Sequence, residues 1–425
     1  VFIKLFFAKS KLNKMNNNIE IMSPVGSYEM LYAAINAGAG SVYFGASHLN
    51  MRAKSSKNFT IEDLKNIANI CAENNVKSYL TVNTIIYDEE IKEMQNIIKI
   101  AKESGISAII ATDISTITYA RSIGMEVHIS TQQNITNTEA VRYFSQFADV
   151  MVLARELNLE QVKVICDNVQ KENILGPSGD LVRIEMFVHG ALCMAISGKC
   201  YLSLHTQNHS ANRGDCLQTC RRPYEVSDKT SNLQLEVDNE YIMSPKDLTT
   251  IDFLDKILAA GVTVLKIEGR GRSPEYVKVT TEVYHQAVEA YFNGNYTQEN
   301  VELWKDKLAR VYNRGFWDGY YLGRKLGEWT NVKGSSATTT KVYVGKAMNY
   351  YKKIGIVDFL VEDQTISVDD EYYIIGPTTG VVEGKLEQLF VNETQGTIAN
   401  KGDRITFKSI PKVRESDKLY KIVKR

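Results

Sequence analysis

Eight short apolar, β-branched runs alternate with longer amphipathic segments between Ile19 and Arg272, and this alternation restricts the fold more than any other feature of the chain. The runs are IEIMS (19–23), SVYFGA (41–46), KSYLTV (77–82), AIIAT (108–112), EVHIST (126–131), VMVLAR (150–155), RIEMFVH (183–189) and TVLKIEG (263–269). Strands this hydrophobic are buried on both faces, the habit of a parallel sheet covered by helices. Eight strand–helix units in roughly 250 residues predict an α/β fold, a TIM-like (β/α)8 barrel. The intervening helices carry start and stop signals. Ser27 precedes an apolar-periodic run that ends at Gly38, and Thr60 with Asp63 three residues on precedes the next. Cys71 and Cys166 fall on the apolar faces of such helices and read as core thiols.

Helix signals cease after SPEYVKVTTEVYHQAVEAYFNG and ELWKDKLARVYNRGF, which read as closing helices. From about Lys341 short alternating runs broken by Gly376-Pro377, Gly380 and Gly402 predict a small antiparallel β-barrel. The expected organisation is therefore an N-terminal extension over 1–18, with Met15 a candidate start, a barrel domain over 19–330, a polar linker over 331–340 and a β domain over 341–425. The last 25 residues hold nine Lys/Arg against three acids, which suits either a polyanion-facing edge or a solvated tail. Over the whole chain 50 basic residues balance 50 acidic ones, so bulk charge selects no partner. The apolar start, Val1 to Ala8, is far shorter than the ~20 residues of a membrane span. It also lacks a signal peptide's length and cleavage pattern, so no membrane partner and a reducing cytoplasmic setting are expected.

In barrels of this kind chemistry gathers where strands end and βα loops begin. That rule selects Ser47, Asn50 and Arg52 after the second strand, Asn83 after the third, and Asp113 after the fourth. It also selects Thr131 and Gln132 after the fifth, Arg155 and Glu156 after the sixth, and Glu268, Arg270 and Arg272 after the eighth. Asp113 and Thr131 could equally be helix caps. Several arginines at one mouth would make a site for carboxylate or phosphate, because guanidinium presents a rigid fork of donors.

The loop after the seventh strand concentrates four of the six cysteines, Cys193, Cys200, Cys216 and Cys220, in a C-x6-C-x15-C-x3-C spacing. The paired C-x2-C knuckles of structural zinc sites are missing, and the spacing is compatible with an iron–sulfur cluster on four thiolates, with zinc as the alternative. Two disulfides or four unrelated thiols are the structural reading. His189 beside Cys193 could be a base for a cysteine nucleophile, although ligation is the more economical use of that thiol. His128 reads as packed in the barrel, and His205 and His209 as donors to the cysteine loop or as solvent-facing. No HExxH, G-x-S-x-G, P-loop or GxGxxG occurs.

The motifs SPVGSYEMLYAAINAGAGSVYFG, LNMRA, NFTIEDL, LTVNTIIYDEE, STQQNITN, LARELNLE, FVHGALCMAISGKC, NRGDCLQTCRRPY and KIEGRGRSPEYV occur in the order that resembles the peptidase U32, or collagenase-like, family over about residues 19–325. That resemblance implies a 4Fe-4S cluster on Cys193, Cys200 and Cys216, with Cys220 a less constant fourth ligand. The family includes tRNA and ribosomal RNA hydroxylation proteins and oxygen-independent quinone hydroxylases. The tail barrel and the IIGPTTG stretch are similar to the tRNA uridine 5-hydroxylation branch, which implies tRNA as partner and prephenate as a small anionic hydroxyl donor. On this reading Arg155 and Arg270 hold carboxylates, Asn83 or Glu268 orients the reacting groups, and the oligomeric state is left open. A peptidase, as the family's name implies, and a non-catalytic RNA-binding module are the competing expectations.

Overall fold

The structure is a computed structural model that describes residues 19–46, 48–54, 58–225, 241–323, 326–409 and 412–425. Ser47, the 1–18 extension and Met15 lie outside the described residues. Eight parallel strands close on themselves: β1 (Glu20–Pro24), β2 (Ser41–Phe44), β3 (Lys77–Val82), β4 (Ala108–Ala111), β5 (Glu126–Ile129), β6 (Val150–Val152), β7 (Arg183–Gly190) and β9 (Val264–Ile267). Closure comes from β9, which pairs with β1 at Glu20↔Val264 and with β7 at Phe187↔Lys266. Alternate residues divide the strands between two cores. Met22, Tyr43, Tyr79, Ile110, Val150 and Val264 fill the interior, while Val42, Phe44, Leu80, Ile109 and Leu265 pack outward against the helices. Each fully buried side chain of this kind contributes about 1.5–3 kcal/mol.

Local chemistry explains the helices. Ser27 accepts from the Met30 backbone N–H and opens α1 (Tyr28–Asn36), which stops before Gly38 at φ +89°. Thr60 donates to Asp63 as the spacing suggests, and regular helix begins at Leu64 in α2 (Leu64–Glu73), with Asp63 also accepting from Tyr28 OH at 2.7 Å. Cys71 and Cys166 are buried in the outer core. A short strand unread in the sequence, β8 (Asp247–Thr249), runs antiparallel to the end of β7 and pairs with β10 (Phe316–Trp317). It backs the cysteine loop.

After α3 (Pro274–Asn293) and α4 (Gln298–Arg310) the chain enters an antiparallel sheet of eight strands that begins at β11 (Thr339–Tyr351). One apolar core, including Val344, Phe359, Ile374, Leu389, Phe407 and Leu419, joins its strands to a separate two-stranded ladder through Ile366 and Ala399. The curl is completed by that ladder, since the edge strands do not pair with each other. This sheet sits on α1: Ala33 packs with Tyr373, Ile375, Val381 and Ile422. Ion pairs flank the contact at Lys341–Glu275 (2.6 Å) and Lys278–Glu383 (3.0 Å). Part of the basic tail is already engaged, as Lys421 pairs with Asp370 at 2.7 Å and Arg404 with Asp358. No helix among the described residues is long and apolar enough to cross a membrane.

Candidate active site at the barrel mouth

A cavity of about 740 Å³ opens at the carboxyl ends of the strands, and all four clustered cysteines line it. Seven cationic side chains, Arg52, Arg155, Arg221, Lys266, Arg270, Arg272 and Arg314, line it with a single carboxylate, Glu268. Carboxylates behind the wall offset part of that charge, Asp247 pairing with Arg272 and Arg314 and Glu185 with Lys266, and the cations left in excess suit an anion.

The rim is built from residues that follow β2, β3, β6 and β9. Arg270 is buried and donates from Nη1 to Asn50 Oδ1 and to Thr81 Oγ1, both at 3.0 Å. Burial draws its guanidinium down to about 10, against the pull of Tyr43 and Glu268. Glu268 receives Arg52 Nη2 at 3.0 Å and Tyr43 OH at 3.2 Å. Burial works to raise this carboxyl, but Arg52, Arg155 and Arg270 outweigh it and hold it below the usual carboxylate range. Asn83 lines the cavity and accepts from the Met51 backbone at 3.2 Å, which fixes the loop carrying Arg52. Arg155 lies flat over Phe187 at 3.7 Å and donates from Nη1 to the Ala191 carbonyl, while its buried Nε has no hydrogen-bond partner. Thr131 and Gln132 line the wall opposite, and Thr131 Oγ1 is likewise buried and unpaired.

The cysteine loop is fastened to this rim at several points. Arg213 pairs with Glu90 through both guanidinium nitrogens, donates to the Ile85 carbonyl and stacks on Tyr87 at 3.9 Å. Asp215 is held by Lys54 at 2.9 Å and by His209 at 2.5 Å. Arg221 donates to Ser244, Pro245 and Leu192. Gly214, at φ +81°, brings the loop so near Asn50 that an added Cβ would stand 2.3 Å from its carbonyl oxygen. All four cysteines are free thiols, so the disulfide reading fails. Burial pushes the thiols of Cys200 and Cys220 up, and the other thiols of the group push the same way, so the four sense one another's charge. Among the described residues no three His, Cys, Asp or Glu side chains surround a point that one metal ion could occupy.

Three of the residues picked from the sequence lie elsewhere. Asp113 caps the helix Ile114–Ser122, accepting from Ser115 N at 2.9 Å, and also takes the Ile86 N–H. Glu156 is exposed, off the main cavity. His189 points away from the mouth into the core against Tyr276, Tyr284 and Phe316, and burial with the nearby Arg272 lowers it to about 3. It is not among the cavity's lining residues, so it cannot serve Cys193 as a base. His128 is packed on Tyr79 inside the barrel, His209 supports Asp215, and His205 is exposed.

Sequence reasoning missed the floor. Lys266 Nζ lines the cavity and pairs with buried Glu185 at 2.6 Å. The signal was present: RIEMFVH and TVLKIEG each carry a charge in the middle of a buried strand, where an unpaired ion is very costly.

Residues 26–331 match peptidase family U32. The chain belongs to this family. Its U32 relatives carry two kinds of name. One, 57% identical over 96% of this chain and 99% of its own, is a collagenase of Porphyromonas gingivalis. Another, 30% identical over 84% of this chain and 83% of its own, is tRNA hydroxylation protein P1 of Bacillus subtilis. A third, a ribosomal RNA 5-hydroxycytidine synthase of Escherichia coli, is 33% identical over 65% of this chain and 40% of its own. The chain's relatives are thus enzymes named for peptide cleavage or for RNA hydroxylation.

Proposed function

We propose that this U32 protein is an RNA-modifying enzyme that hydroxylates C5 of a uridine, the wobble uridine of tRNA being the target, in the cytoplasm. Cys193, Cys200, Cys216 and Cys220 would hold a 4Fe-4S cluster. A zinc ion needs its ligands about 2.0–2.3 Å from one centre, which the described residues do not offer. All four thiols line the one cavity, and a 4Fe-4S cluster would take one thiolate on each iron. When bound, such a cluster supplies one-electron chemistry and an electrophilic iron.

The observation that carries the proposal is the surplus of cations, four when Glu268, Glu185 and Asp247 are set against the seven, in a cavity that also gathers the thiols. A dicarboxylate hydroxyl donor of the prephenate kind would seat near the guanidinium groups of Arg155 and Arg270. Glu268, ionised and braced by Arg52 and Tyr43, would orient the reacting group, and Asn83 would offer its amide N–H to the base. The hydroxylase names among the relatives support the RNA partner.

The collagenase name of the 57% identical relative favours a second reading, peptide hydrolysis. Among the described residues no histidine lines the cavity to activate a cysteine thiol. Nucleoside mass spectrometry of tRNA from a deletion strain, with any paralogues also removed, tests the proposal. Loss of 5-hydroxyuridine and its derivatives, restored by the wild-type chain but not by Cys200→Ser, is expected. Unchanged levels, together with peptide cleavage by the protease-free purified protein, would replace it with the peptidase reading.

A further inference from the structure

The cavity floor holds a pair whose composition does not suit a purely structural role. Lys266 is buried, with Nζ 2.6 Å from Glu185 Oε1, 4.7 Å from the centre of the Tyr43 ring and 5.3 Å from that of Phe187. Glu185 is fully buried and its second oxygen, Oε2, has no hydrogen-bond partner. An ammonium with one carboxylate contact and a carboxylate with an orphan oxygen form a poorly compensated buried pair, which apolar residues of similar volume would replace without loss of stability. The interior also holds the Glu20–Arg183 pair, whose carboxylate differs in having both oxygens engaged, Oε1 by Tyr79 OH and Oε2 by Arg183, each at 2.7 Å.

The cavity also has no need of this cation for charge. Six arginines already line it, and among the described residues Lys266 is the only lining amine. Lysine differs from arginine in being able to give up its proton and present a lone pair. The ring of Phe187 carries the Arg155 guanidinium at 3.7 Å as well as lying near Lys266 Nζ, so a carboxylate-binding edge and an amine share one wall.

The geometry points to Lys266 as an imine-forming residue that adds to the carbonyl carbon of a 2-oxo acid, with Arg155 holding the acid's carboxylate and Glu185 carrying the proton. This rests on the reading that the cavity takes an anionic co-substrate, and adds that the co-substrate bears a ketone. In the step the ammonium of Lys266 loses one proton to Glu185 Oε1, 2.6 Å away, and the freed lone pair forms the C–N bond. The carbonyl oxygen leaves as water with the two remaining nitrogen hydrogens, and Glu185 returns its proton to the imine nitrogen. Nothing is oxidised or reduced. The resulting iminium withdraws electrons from the adjacent carbon, the usual gain from a lysine adduct.

The test is reductive trapping on the anaerobically purified holoprotein. Incubation with phenylpyruvate or pyruvate and sodium cyanoborohydride, followed by peptide mass spectrometry, should place a reduced adduct on Lys266. Occupancy should saturate with oxo acid and exceed that of the exposed lysines by about tenfold or more. Phenyllactate, which lacks the carbonyl, should give none. Lys266→Arg should abolish the adduct and Glu185→Gln should slow its formation. Absence of an adduct in the wild-type protein, or labelling no greater than on exposed lysines, overturns the inference. The two readings fail separately. An adduct with 5-hydroxyuridine unchanged in the deletion strain keeps the lysine chemistry and removes the RNA target. Hydroxylation by Lys266→Arg at the wild-type level, with no adduct on the wild-type protein, does the reverse.

Discussion

Replacing Arg213 by alanine would release the cysteine loop from the barrel rim without touching the cavity wall, since Arg213 is not one of the lining residues. The side chain makes a two-pronged pair with Glu90, one contact of which is 2.6 Å, a hydrogen bond to the Ile85 carbonyl and a stack on Tyr87 at 3.9 Å. With Arg213 21% and Glu90 13% exposed, the pair is only partly screened. A charged hydrogen bond of this type is worth about 1.5 kcal/mol and the stack about 0.5–1. Allowing for screening, the latch stabilises loop docking by about 3 kcal/mol, close to a hundredfold in the docking equilibrium. Hydrogen exchange resolved by mass spectrometry reads this directly. Amides within 200–222 should exchange about a hundredfold faster in Arg213→Ala, while β3 and β4 exchange as before. Arg213→Lys should recover little, because an ammonium cannot reproduce the fork or the flat stack. Unaltered exchange in the loop, or acceleration spread evenly over the barrel, would refute the idea that this one residue holds the loop.

Other perturbations address separate parts of the structure. Gly380 meets α1 at φ +70°, with an added Cβ only 2.8 Å from the Ala33 nitrogen. Gly380→Val should therefore cost about 1–3 kcal/mol at that contact and split thermal unfolding into two transitions; a single unshifted transition would contradict the packing. His189 has its folded pKa depressed to about 3. The unfolded chain then binds a proton that the folded one refuses as pH falls from about 6.5 toward 3, so stability declines across that window by on the order of 4 kcal/mol. His189→Phe should flatten the decline in urea titrations at pH 7 and pH 4, and equal slopes for the two proteins would count against the burial. Glu20, lowered to about 2 because Arg183, Ser41 and Tyr79 outweigh burial, works on the same limb. Its contribution is present above about pH 4.5 and lost as pH falls through 2, so Glu20→Gln should remove acid sensitivity below pH 4 as followed by circular dichroism. The proposed cluster would give anaerobic protein an absorption near ~400 nm that chelation or Cys200→Ser should abolish, and an unchanged spectrum in Cys200→Ser would exclude Cys200 as a ligand.

The alternation of apolar strands with amphipathic helices was enough to deduce the barrel, because burial on both faces of a parallel strand leaves a mark on every residue of it. The four thiols were equally visible, since they share one loop. Rim residues such as Arg52, Arg155 and Arg270 could be located because strand ends are one-dimensional landmarks. What a period of two cannot say is which distant strand supplies a partner. Lys266 and Glu185 stand 81 residues apart and meet only once β9 pairs with β7. For the same reason the pattern could not separate Asp113 capping its own helix from Asn83 facing the cavity, or show His189 turned into the core. Sequence by itself determined the scaffold and the cast of ionisable groups. Barrel closure decided which of them share a wall, and closure depends on pairings between residues far apart in the chain, whose loop entropy only the collective burial of the core can offset.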